Sequence, residues 1–235
     1  MDYLRVLLRA LAAQGLHYRV AARNTNFSGT FPLSSTEAAS LTDHDVLPVR
    51  EGVKVTHAAS ANYDARITLP AADGSEIVIP EGYASAVIEA GGRRAKVTTT
   101  HPESYSTAIR DAQTAQLNAW LKDSEGSDLP NVVLGDFNDR NTDTTGSYQQ
   151  FLDAGYGDAY TDLHGSTGGW TAGQDDSLAE TPSALDHRVD FVFYQRGRLR
   201  PLTARTVGDT TDQMTRTPVP LWPSDHAGLI ATFAV

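Results

Sequence analysis

Four short stretches of the chain carry side chains that can do chemistry. The first is Gly135-Asp136-Phe137-Asn138, which follows the apolar run Val132-Val133-Leu134. That run reads as a short buried strand, and Gly135 ends it. Asp136 and Asn138 alternate, so an extended chain would point both to one side. The second is Thr99-Thr100-His101, the third Asp186-His187-Arg188-Val189-Asp190, and the fourth Ser224-Asp225-His226. Each also has a plain structural explanation: an Asp/Asn turn after a strand, a solvated histidine, a buried aspartate satisfied by backbone or by Arg188, and a cap-like turn.

Together His101, Asp136, Asn138, Asp190, Asp225 and His226 supply three carboxylates, two histidines and an amide at strand ends. Carboxylates favour hard cations such as Mg²⁺ or Mn²⁺. A histidine beside an aspartate can act as a base near neutral pH. A histidine away from the cation can donate to a phosphate oxygen. This is the inventory for metal-assisted hydrolysis of a phosphoester. Spacing along the chain does not show that the groups converge.

The elements that would position them follow from pattern. Asp2 can cap a helix whose stripe is Leu4, Leu7, Leu8 and Leu11 and whose stop is Gly15. A strand follows at Tyr18–Ala22, then residues 23–43, rich in Asn, Thr, Ser, Gly and Pro, read as a long surface loop. Short strands are expected at Asp45–Val49, Val53–His57, Ala65–Leu69, Glu76–Ile79, Ala84–Glu89 and Lys96–Thr100, with turns at Asp73-Gly74 and Gly91-Gly92. A helix spans Ser106–Lys122, with Ile109, Ala112, Leu117, Trp120 and Leu121 near one face. After the strand at Val132 come a short helix at Tyr148–Asp153, a loop from Gly155 to Pro182, and strands at Val189–Tyr194, Leu199–Val207 and Gly228–Val235. Strands and helices mix without strict alternation, which predicts a layered α/β fold with largely antiparallel sheets.

Bulk properties narrow the classes. The 235 residues show no composition break, so one domain over 1–235 is expected. With no cysteine, disulfides, zinc thiolate sites and cysteine nucleophiles are excluded. The net charge of −10 disfavours a broad duplex-binding face. No apolar run approaches the roughly 20 residues of a membrane-spanning helix. The opening residues, interrupted by Arg5 and Arg9, do not make a signal peptide. Neither a Gly-x-Ser-x-Gly elbow nor a His-Glu-x-x-His motif is present.

Thr100-His101, the helix carrying Arg110 and Gln113, Gly135-Asp136-Phe137-Asn138, Arg188-Val189-Asp190 and Ser224-Asp225-His226 occur in the order used by the endonuclease/exonuclease/phosphatase superfamily. The chain resembles that superfamily, which includes deoxyribonuclease I, apurinic endonucleases, sphingomyelinases and inositol-phosphate 5-phosphatases. The Trp222-Pro223 lead-in is similar to bacterial, often secreted members. The resemblance implies a four-layer α/β sandwich, two packed mostly antiparallel sheets with helices outside. It implies His226 as general base oriented by Asp190, and Asp136 and Asn138 on the nucleophile, phosphate and metal. It further implies Asp225 as a metal ligand, His101 on a phosphate oxygen, Mg²⁺ or Mn²⁺ as cofactor, and a monomer. The substrate would be a small-molecule, lipid-headgroup or nucleic-acid phosphoester. In the family a first strand carries an asparagine and a second ends in a metal-binding glutamate, both before the first helix. This sequence starts at that helix, so the expectation is an N-terminally incomplete domain. Glu81-Gly82 also stands where relatives tend to carry Arg-Gly. The alternative function is an impaired domain that at most binds a ligand or partner.

Overall fold

In a computed structural model of the chain, residues 1–34, 36–70 and 74–234 are described. The chain begins with α1 (Tyr3–Ala13), capped by Asp2, whose carboxylate accepts the Arg5 N–H at 3.0 Å. Then come β1 (Tyr18–Pro32), β2 (Ala38–Arg50), β3 (Lys54–Asn62), β4 (Ile67–Pro70), β5 (Glu76–Ile79), β6 (Gly82–Ala90) and β7 (Arg93–Thr100). The second half runs through α2 (Thr107–Asp123), β8 (Asn131–Asp136), α3 (Ser147–Asp153), β9 (Tyr156–Asp158), α4 (Ala159–His164), β10 (Asp190–Gln195), β11 (Arg200–Val207) and β12 (Gly228–Ala234). Asp73 and Val235 lie outside the described residues.

The central sheet has six strands in the order β3-β6-β7-β8-β10-β9. Its pairs are antiparallel except β7–β8, which α2 joins as a parallel crossover. Strand alternation splits its side chains between two cores. Val133, Phe191 and Phe193 face α2 and α3, where they pack with Leu117, Leu121, Phe137 and Phe151. Val132, Leu134, Val192 and Tyr194 face the other way, onto the β11–β12 ribbon through Leu199, Ala204, Leu229 and Phe233. On the same side, Ala22 and Leu47 of the β1–β2 ribbon cover Ala84 and Ala86 of β6. The expected α/β sandwich of mostly antiparallel sheets is therefore present, with helices, a large sheet and paired ribbons in layers.

Two expectations are corrected. Residues 23–43 are largely strand, because β1 and β2 form one long antiparallel ribbon. Its outer part hides its period: hydroxyl pairs such as Ser28–Thr42 at 3.1 Å and Thr30–Ser40 at 2.7 Å replace the apolar alternation that marks a half-buried strand. The segment after Gly155 also holds β9 and α4, the helix capped by Asp158, whose carboxylate accepts the Tyr160 N–H. A smaller difference concerns α2. Ala112 is exposed, and the inner face carries Arg110, Gln113, Thr114 and Asn118 beside Leu117 and Leu121. Two of these, Arg110 and Gln113, bear on the site described below.

Candidate active site

Asp136 is the last residue of β8 and Asp190 the first of β10, and the two stand opposite each other in the antiparallel ladder. Register alone thus places two carboxylates side by side at one end of the sheet. Gly135 makes the approach of β7 possible. A Cβ there would lie 1.9 Å from the Thr100 carbonyl oxygen, and its φ of +150° disfavours any side chain. With β7 that close, His101 emerges beside Asp136, with Nε2 3.7 Å from Oδ2. Thr100 itself is structural, because its hydroxyl donates to the Gly82 carbonyl at 2.7 Å and meets the Tyr63 hydroxyl at 2.6 Å.

The chain after β8 does not stay extended. Asn138 has φ +51°, and its N–H donates back to Asp136 Oδ1 at 2.8 Å. Asp136 and Asn138 are therefore neighbours through a turn, not through one strand face. The Asn138 amide donates to the Pro102 carbonyl at 2.9 Å, which ties this turn to the segment after His101. Buried Gln113 of α2 holds the same segment by accepting the Glu103 N–H at 2.8 Å.

His226 comes from the loop before β12. Its Nδ1 lies 2.8 Å from Asp190 Oδ2 and 3.9 Å from Asp136 Oδ2. Thr171 locks this meeting: its hydroxyl accepts the N–H groups of Val189 and Asp190 at 3.2 and 3.1 Å, and its carbonyl accepts the Ala227 N–H at 2.9 Å. Nothing in the Gly-rich stretch around Thr171 marks it as such in the sequence. Asp225 is exposed and accepts from the Ser224 hydroxyl at 3.1 Å. Arg188 does not satisfy Asp190. It is fully buried and reaches Asp158 at 3.0 Å and Thr161 at 2.6 Å.

Electrostatics follow from this geometry. The hydrogen bond to Asp190 raises His226 to about 9, above its ordinary value, against the opposing effect of burial. Burial and then the facing charge of Asp190 push Asp136 upward. Ligand atoms of Asp136, Asp190 and His226 all lie within 4.8 Å of one another, and this is the one such group among the described residues. Two carboxylates facing each other in the ladder, plus an imidazole, are a donor set that a hard divalent cation would stabilise. Beside His226 and Asn138 opens a cleft of about 330 Å³, lined also by Arg110, Arg140 and His187.

The model of the Endonuclease/Exonuclease/phosphatase family matches residues 9–226. The chain belongs to this family. No curated protein sequence matches it. The fold is shared with a family protein from Leptotrichia buccalis at TM-score 0.65, 15% identity, and coverage of 100% of this chain and 78% of that one. A mannosyl-6-phosphatase from Bacteroides thetaiotaomicron gives TM-score 0.63 and 14% identity, covering 98% of this chain and 90% of that one. The human Nocturnin catalytic domain, solved with a sulfate anion, gives 0.60 and 18% identity over 99% and 77%. At these identities the structural likeness carries the fold, and the residues carry the chemistry.

Proposed function

We propose that this chain is a divalent-metal-dependent hydrolase of phosphoester bonds. The observation that carries the reading is the convergence of Asp136, Asp190 and His226 within 4.8 Å, beside His101 and Asn138. Asp136 and Asp190, with Asn138 beside them and Asp225 next to His226 in the chain, would hold Mg²⁺ or Mn²⁺. The bound cation would supply charge neutralisation on the phosphoryl oxygens.

The chain's own groups would do the rest. Asp190 accepts from His226 Nδ1–H and so leaves Nε2 as the nitrogen that takes a proton from the attacking water. Asp136 and Asn138 orient that water or a phosphate oxygen. His101, half exposed at the rim, donates to a phosphate oxygen as charge develops. One protein that shares the fold is a mannosyl-6-phosphatase, which is in keeping with this chemistry. The net charge of −10 favours a small phosphoester or a single contact over an extended duplex.

The test is hydrolysis of bis-p-nitrophenyl phosphate with and without Mg²⁺, comparing the wild-type chain with His226→Ala. Metal-stimulated turnover that the variant loses supports the proposal. Equal rates in both proteins end it. If nucleic acid is the substrate, cleavage falls with added salt. A flat salt response selects a small molecule.

A further inference from the structure

At the other end of the central sheet lies a second cavity, of about 190 Å³. Its position follows from β8 and β10: Asn131 opens the strand that Asp136 closes, and Gln195 closes the strand that Asp190 opens. Asn131 stands five residues before Asp136 in the chain, roughly 16 Å along β8. It is therefore a separate place from the cleft beside His226.

The cavity is lined by three side-chain amides, Asn118, Asn131 and Gln195, with Ser127, Tyr156 and Lys122. The carbonyl oxygens of all three amides are buried and have no hydrogen-bond partner. Asn131 is 2% exposed and Asn118 9%, so these are core positions and not surface amides. An unpaired buried oxygen keeps the penalty of its lost hydration until a donor reaches it. Three in one small space call for a common partner.

The chemistry of that partner is constrained. Every orphan here is an acceptor, so the ligand must donate several hydrogen bonds. No carboxylate lines the cavity and Lys122 stands at its rim, which disfavours a divalent cation. The volume holds roughly six waters at about 30 Å³ each, so the ligand is small. Leu121 and Ala154 add apolar wall against which carbon can pack. We propose that this cavity is a second binding site, for a small neutral polyhydroxylated molecule of glycerol to monosaccharide size, held by Asn118, Asn131 and Gln195.

Glycerol, D-glucose and D-mannose are titrated into the whole chain, and the side-chain amides are followed by ¹H–¹⁵N spectroscopy. The expected result is saturable movement of the Asn118, Asn131 and Gln195 resonances with one of these probes. Gln195→Met, at a half-exposed position, should weaken that binding at least about tenfold, the loss of one good hydrogen bond. Should that variant misfold, Asn118→Ser carries the same expectation. No movement of the three resonances at concentrations on the order of 100 mM, far above a millimolar Kd, overturns the proposal and leaves the cavity to water. Binding undiminished in the folded variants overturns it too, because it puts the molecule elsewhere.

Discussion

His226 and Asp190 are joined by a 2.8 Å hydrogen bond between Nδ1 and Oδ2. The strand end supplies the aspartate and the loop before the last strand supplies the histidine, so 36 residues of chain are closed by one contact. That contact, first among the causes, lifts the imidazole to about 9. A base with that value works best on the alkaline side of neutrality, and a cation nearby would draw its ionisation downward. Hydrolysis should therefore rise with pH through a single ionisation. Asp190→Asn should shift that ionisation to lower pH and lower kcat by about 10²–10⁴-fold, as read from pH–rate profiles. A profile unmoved by Asp190→Asn would separate His226 from the reaction.

Asp136 is the group that a cation would relieve most directly, because burial and Asp190 both oppose its charge. Calorimetric titration with Mg²⁺ and Mn²⁺ should show binding by the wild-type chain, weakened about 10–100-fold or more in Asp136→Asn. Asp225→Asn, at an exposed position, tests whether this third carboxylate adds to the site.

Gly135 leaves no room for a methyl group against the Thr100 carbonyl. Gly135→Ala should destabilise the fold by about 3 kcal/mol or more, measured by denaturant unfolding, since backbone must move at a strained φ. The candidate groups on either side, His101 and Asp136, should lose their alignment with it.

Arg188 and Asp158 form a buried ion pair at 3.0 Å with both side chains almost fully enclosed. Asp158 also caps α4. Arg188→Met should cost about 3–5 kcal/mol because it leaves Asp158 buried without its partner. The double variant Arg188→Met/Asp158→Asn should recover part of that loss in thermal unfolding.

Asp45 sits buried in β2 with one oxygen unpartnered, and burial raises it to about 7. The folded chain thus holds this proton longer than the unfolded chain. Its contribution is intact below the ordinary carboxylate value near 4 and is lost as pH rises through about 7. Asp45→Asn should melt close to wild type at pH 4 and at least about 3 °C higher at pH 8. Identical melting curves at both values would remove the argument.

Much of the positioning was legible in the chain. Val132-Val133-Leu134 announces a buried strand, and β8 contains it, although the strand runs through Gly135, read as its end, to Asp136. Gly91 and Gly92 mark the β6–β7 turn, where both have positive φ. The β1–β2 ribbon was not legible, because polar side chains on its outer part carry no alternation while its backbone groups pair regardless. The inner face of α2 misled for the opposite reason. Gln113 and Arg110 look like solvent residues by type, yet they are buried to hold the His101 segment and to lie near Asp139 at 3.8 Å.

The sequence by itself determined which chemical groups exist and that they sit at strand ends, since apolar runs and turn residues are local properties. It also determined their order, and with it the family resemblance. Only the tertiary structure decided that Asp136 faces Asp190, that Asn138 reaches it through a turn, and that Thr171 delivers His226 to both. Those relations are set by strand register and loop closure between residues far apart in the chain, and no local pattern encodes them.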